Sequence, residues 1–294
     1  MAGLALVSAA GLVLDDRILL GQPIWAKPLK FSLSFIAYGL SLAWMLSLLP
    51  GARARRVGWW AGTVLTAASV VEMVLITGQV IRGRRSHFNN ATPFDTAVFR
   101  TMGLTVVVLW LAALLIAVLL LRARILDRAT AWAVRLSSLI ALAGAAVGFV
   151  MVVPTPEQLA RPDSPTIGAH SVGVPDGGPG LPLTGWSTTG GDLRIAHFFG
   201  MHALQLVPLV LLVLAALAPR YARLADDRVR LRLVLVAAGS YAATFALLTW
   251  QALRGQPLLS PDATTLTAAA AIAALTLAGA ALALRTPRRL ELAA

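Results

Sequence analysis

No cysteine occurs among the 294 residues. Disulfides, iron–sulfur clusters and thiolate metal sites are thereby excluded, whatever the compartment. Charge is scarce too: 13% of the residues are charged and 58% are hydrophobic, with a mean hydropathy of +0.77. A soluble domain cannot hide that much apolar surface, so a bilayer must act as the solvent. Acids number 13 against 25 lysines and arginines, a formal net charge of +12. In a soluble protein such an excess suits nucleic acid, but here the cations lie between long apolar runs and read as topology signals. A phosphate-loop motif is also missing.

Apolar runs long enough to cross about 30 Å at about 1.5 Å per residue fall at approximately 2 to 20, 29 to 49, 58 to 81, 96 to 121, 131 to 153, 193 to 217, 231 to 253 and 264 to 284. They predict an all-α polytopic transmembrane helix bundle of about eight helices, with 1–294 forming one transmembrane domain. Asp15, Asp16 and Arg17 interrupt the first run. With no basic leader before it, a short first helix is expected rather than a removed signal. Sorting the loops by side gathers Arg53, Arg55, Arg56, Arg122, Arg124, Arg128, Arg135, Arg220, Arg223, Arg228, Arg230, Arg232, Arg285, Arg288 and Arg289 on one face, 15 of the 25 basic residues. That face is predicted to be cytoplasmic, with both termini inside a bacterial inner membrane.

The cytoplasmic loops are short and plain, whereas the outer face holds every histidine and most of the loop glycine. Function is expected there. The outer loop 154–192 carries eight glycines and seven prolines. Its turn residues and apolar anchors, from Gly168 to Leu183, predict a folded cap rather than a floppy linker. An internal echo joins the halves: Gln79-Val80-Ile81-Arg82-Gly83 ends the third span and Gln251-Ala252-Leu253-Arg254-Gly255 the seventh. It suggests a 4+4 parallel repeat; the shared composition of arginine-capped membrane helices explains it equally.

Glu72 is the one acid inside a span, and an ionised carboxylate there is expensive. Ser69, Gln79 and Arg82 share its face at helical spacing, a polar stripe that must meet protein or water. Glu72 reads either as a proton-exchanging or ligand-binding acid, or as a protonated group bonded to a neighbouring helix. His197 and His202 stand five apart, about 140° around a regular helix, so they do not chelate one ion as an i, i+4 pair does. With His87 and His170 from the loops they are candidates for general acid–base work. A metal site shared with Glu72 or Asp176, haem between facing histidines, and plain hydrogen bonding are the other readings. Arg82, Arg84 and Arg85 break the positive-inside trend, and are expected to grip an acidic group or to pair with Asp95, Asp176 or Asp192. Asp95, Asp192 and Asp262, at span starts, read as helix caps. Gly144 and Gly148 form a GxxxG packing surface.

Four stretches carry a likeness to known proteins: Gly21 to Phe31, Ser86-His87-Phe88-Asn89, His170 to Leu183, and Gly190 to Phe198. On these the chain resembles an uncharacterised family of bacterial multi-pass integral membrane proteins. The resemblance implies a multi-pass membrane protein and brings no activity, cofactor or substrate. Retinal attachment as in microbial rhodopsins fails, because Lys27 and Lys30 are the only lysines. Haem A synthases share eight helices and outer histidines, but their paired helical ligands are unmatched here, so only a fold-level analogy remains.

The leading expectation is a membrane-embedded enzyme or redox protein acting at the outer face on a lipidic or anionic substrate. Glu72, His87, His170, His197 and His202 would do its chemistry. Gln79, Arg82, Asp176, Arg194, Gln251 and Arg254 would bind substrate. The alternatives are a proton-coupled transporter or channel and a membrane assembly or sensory subunit. The expected partners are the bilayer and that small molecule, not nucleic acid; cofactor and metal stay open.

Overall fold

The computed structural model describes residues 1–161 and 163–285. Arg288 and Arg289, counted above with the cytoplasmic cations, lie outside the described residues. The chain is an all-α helix bundle of the kind a bilayer accommodates, since helices satisfy their own backbone polar groups without water. Its elements are α1 (Ala2–Leu14), a small antiparallel pair β1 (Ile18–Leu19) and β2 (Gln22–Pro23), α2 (Ala26–Ser47), α3 (Ala52–Ile81), α4 (Pro93–Arg122), α5 (Arg128–Met151) and the short α6 (Pro156–Leu159). A second antiparallel pair follows, β3 (Ser171–Val172) with β4 (Gly191–Asp192), then α7 (Leu193–Met201), α8 (Ala203–Leu217), α9 (Asp227–Leu253) and α10 (Ala263–Leu284).

All eight expected segments are helical, but they are not equivalent. Six are long and apolar enough to cross a membrane, and α7 with α8, bent by 43° at their break, would make a seventh. The first differs from the expected 2–20: α1 has 13 residues, about 20 Å of helix against about 30 Å of hydrocarbon. It ends where Asp15 takes hydrogen bonds from Arg17 and from the Trp25 indole at 2.7 Å. The four-for-four correspondence suggested by the echo therefore does not extend to its first pair, in which α1 stands opposite the 24-residue α5.

The echo itself has a local physical basis. After α3, the amide of Arg84 donates to the Gln79 carbonyl at 2.9 Å and that of Gly83 to Val80 at 3.0 Å. After α9, Gln256 donates to Gln251 and Gly255 to Ala252. Each is a Schellman termination, with glycine in the left-handed region at φ +68° and +71°. Each hairpin is then clamped: Arg82 bonds Asp95 at 2.7 Å near the start of α4, and Arg254 bonds Asp262, the N-cap of α10, at 2.6 Å. The capping expectation holds for Asp192 and Asp262. At α4 the cap is Thr92, and Asp95, three residues on, hydrogen-bonds that threonine's hydroxyl.

One core cluster joins α2, α3, α4 and α5 through Met45, Leu65, Ile116, Leu120 and Val134. A second joins α5, α8 and α9 through Ala133, Val207, Val234 and Ala238. Helix α5 belongs to both, and it meets α7 in close contact. A Cβ built on Gly144 would sit 2.5 Å from the Gly200 backbone, and one on Gly200 would sit 2.5 Å from Gly144 Cα. The small-residue surface read from Gly144 and Gly148 is thus a backbone-to-backbone crossing at Gly144 and a seat for the His197 ring at Gly148.

Gly144→Ala is expected to destabilise the protein by about 1–3 kcal/mol through overpacking. Gly78→Ala, with nothing within 4 Å of its added methyl, should be neutral or slightly stabilising. Thermal unfolding of the two variants in detergent checks the difference; equal melting temperatures would contradict the crossing.

Candidate functional site

The loop between α5 and α7 lies across the helix ends and is tied to them at many points. The Ala169 amide donates to the Met151 carbonyl at the end of α5, and the Leu193 amide to His170. The Asn90 amide donates to Pro165, and that of Ile167 to Phe88. From α2, Lys30 Nζ reaches the Thr184 carbonyl at 3.1 Å. Arg194 holds Asp192 through two nitrogens and reaches the Gly185 carbonyl at 2.7 Å. These bonds fix the path of the loop.

Under this loop the structure gathers His87, His170 and Lys27. The carboxylate of Asp176 accepts the amides of His170 and Ser171 and the His170 Nδ1 proton at 3.0 Å. Since a carboxylate only accepts, His170 carries its hydrogen on Nδ1 and leaves Nε2 as an acceptor. His87 is the opposite case. Its Nδ1 faces Lys27 Nζ at 2.9 Å and Ser86 Oγ at 3.0 Å; an ammonium only donates, so Nδ1 accepts and Nε2 carries the proton. The Phe88 ring packs between them, its centroid 6.2 Å from the His87 ring and 4.7 Å from that of His170.

Burial holds His87 well below the usual imidazole range, and the nearby Lys27 charge pushes the same way. Burial also lowers His170, partly opposed by the Asp176 hydrogen bond. For Asp176, burial pulls upward, but the hydrogen bonds it accepts from His170 and Ser171 outweigh it and hold the carboxyl well below the carboxylate range.

His197 and His202 occupy a different setting. His197 Nδ1 lies 2.8 Å from the Gly144 carbonyl, and its ring fills the space left by Gly148. His202 sits in the break between α7 and α8, with Nδ1 3.0 Å from Gln205 Oε1. Both imidazoles line one cavity of about 170 Å³ between α2, α4, α5, α7 and α8, whose wall is otherwise mainly apolar and includes Phe31, Phe35, Trp110 and Met201. As their spacing of five implies, the two rings bond different neighbours, Gly144 and Gln205. The break and the 43° bend bring both rings to the same cavity.

No family model, curated protein or solved structure matches this chain.

The remaining candidates are largely engaged with one another. Gln79 and Arg82 both bond Asp95, which is 1% exposed. Arg254 bonds Asp262, and the Gln251 amide caps the Pro257 carbonyl at 2.8 Å. The three arginines expected to orient a substrate are thus each paired with an aspartate of the chain. Glu72, buried in α3, accepts a hydrogen bond from Thr105 of α4. Among the described residues no group of three or more His, Asp or Glu side chains comes together as metal ligands.

Sequence reasoning passed over Lys27, Tyr38, Thr105 and Gln205 as parts of a site. Lys27 had a visible signal, as a lysine in the first turn of an apolar helix on the arginine-poor side. Tyr38 and Thr105 had none, because single hydroxyls on apolar helices are common.

The pH dependence has a definite sign. Unfolded histidines take up protons near pH 6.5, whereas His87 and His170 resist them when folded, so the unfolded state binds more protons and stability rises with pH across that window. Asp176 adds the same sign at lower pH. Acidifying from about pH 7 to about pH 5 should lower the melting temperature of the purified protein, and His87→Gln should flatten that slope. A melting temperature constant over this interval would contradict the buried neutral rings.

Proposed function

We propose that this chain is a membrane-embedded enzyme of the bacterial cytoplasmic membrane, with its loop-covered end outward. In this reading it holds a lipid-soluble molecule in the cavity and exchanges protons with it through His197. The observation that carries this is the double membership of His197. It lines the apolar cavity and also lies within electrostatic range of His87 and His170 under the loop. An apolar pocket with a few convergent polar groups is the usual form of a small-molecule site. A neutral imidazole there accepts a proton in one step and returns it in the next. The neighbouring His170, whose Nε2 is left as an acceptor, gives that proton somewhere to go. Of the two substrate types expected from the sequence, lipidic and anionic, the pairing of Arg82, Arg194 and Arg254 with aspartates favours the lipidic one.

Mass spectrometry of the small molecules extracted from purified protein tests the reading. A discrete lipid-soluble species should accompany the wild type and disappear from Ala145→Phe, which fills the cavity. With His197→Gln the species should be retained, while its isomer, formed when the proton taken from one atom is returned to another and present with the wild type, is missing. Bulk phospholipid alone in all three samples, each checked for helical content, would overturn the proposal.

Orientation rests on the arginine bias and has its own test, made simple by the lack of native cysteine. Leu183 in the loop is 87% exposed, and Leu126 at the arginine-rich end is 101% exposed. In intact spheroplasts an impermeant maleimide should label Leu183→Cys and spare Leu126→Cys; the reverse pattern would invert the topology.

A further inference from the structure

The cavity is more specific than its apolar wall implies, because the tautomers of its two histidines are set by the protein. A backbone carbonyl only accepts, so His197, whose Nδ1 faces the Gly144 oxygen at 2.8 Å, carries its proton on Nδ1. His202 is fixed through a longer chain of bonds. The Gln205 amide nitrogen donates to the Ala37 carbonyl at 3.3 Å and to Ser41 Oγ at 3.0 Å on α2. Its oxygen is therefore the atom turned to His202, and His202 Nδ1 must donate. Each imidazole is left with a lone pair on Nε2. Neither Nε2 has a hydrogen-bond partner among the described residues, and the same holds for two hydroxyls on this cavity wall, Ser34 Oγ and Tyr38 Oη of α2.

A ligand that hydrogen-bonds these atoms gains affinity and specificity from them. The unmatched set defines the ligand by exclusion. A carboxylate or phosphate only accepts, so it would meet two lone pairs. A divalent metal would meet two neutral imidazoles and no compensating carboxylate, and no larger ligand group is assembled among the described residues. A hydroxyl fits: it donates to an imidazole Nε2 and accepts from the tyrosine or serine hydroxyl. Size narrows the body that carries it. An apolar cavity of roughly 150 Å³ accommodates one benzene ring, so about 170 Å³ accommodates one substituted ring. The Phe198 ring, with centroids 6.0 Å from His197 and 6.4 Å from His202, provides an aromatic surface between the two acceptors.

We propose that the cavity recognises the hydroxyl-bearing ring of a lipid-soluble phenol or quinol, with the hydroxyl donating to Nε2 of His197 or His202. The proposal rests on the cavity being the binding site of the proposed function, and it names the chemical class of the ligand.

The probes are 4-hexylphenol and 4-hexylanisole, in which a methyl group replaces the proton on the ring oxygen. Titration calorimetry of the full chain in detergent should show the phenol binding at least about tenfold more tightly than the methyl ether, the equivalent of one hydrogen bond and one unmatched acceptor. The double variant His197→Phe, His202→Phe should bring that ratio close to one. A ratio near one in the wild type, with both probes bound, overturns the proposal and leaves the cavity as a lipid site. A preference that survives the double variant also overturns it, because the hydroxyl is then read elsewhere. Binding of neither probe removes both this proposal and the cavity reading beneath it.

Discussion

The arrangement of the site depends on one contact, the crossing of α5 and α7 at Gly144 and Gly200. With no side chain on either residue the two backbones meet directly, and a single methyl there would collide with main-chain atoms. The same crossing brings the Gly144 carbonyl to His197 and opens the Gly148 face to its ring. Since α5 is shared by both core clusters, the position of His197 is set relative to the whole bundle rather than to one neighbour. Such a contact suits a bilayer, where lipid competes with every apolar contact and close packing is the main source of helix association.

The polar groups divide into two populations. Near the helix ends, aspartates and arginines are matched to each other: Asp95 with Arg82 and Gln79, Asp192 with Arg194, Asp262 with Arg254. These pairs join helices and hold the loop, and their geometry leaves little charge to offer a ligand. Within the cavity the reverse holds, since His197, His202, Ser34 and Tyr38 keep atoms unmatched by protein. Paired charges thus mark the helix ends, and uncharged hydrogen-bonding groups mark the cavity wall.

Much of the scaffold was legible in the sequence, because the length and spacing of apolar runs measure the bilayer directly. The helices, the aspartate caps at Asp192 and Asp262 and the glycine surface on α5 all follow from local rules. The short α1 was half visible in the charges at Asp15, Asp16 and Arg17. The site was read less well. Helical periodicity placed His197 and His202 against different neighbours, and they do bond different ones, Gly144 and Gln205; that one cavity reaches both was not visible, because nothing as plain as a proline marks the break: Pro208 lies six residues beyond His202 and inside α8. The stripe from Ser69 to Arg82 was correctly found on one face, but pattern alone does not reveal that Thr105 and Asp95 on α4 face it. Long-range partners such as Lys27 with His87, 60 residues apart, lie beyond any local rule.

The two clamped hairpins bear on how the chain assembles. Arg82 and Asp95 stand 13 residues apart, and Arg254 and Asp262 only eight. Each pair closes over so short a loop that a hairpin can lock as soon as its second helix begins to emerge during synthesis, with little chain entropy to overcome. The cavity walls, in contrast, come from segments as far apart as Phe31 and Gln205. The two clamps are thus closed by local contacts, whereas the pocket depends on contacts between segments distant in the chain.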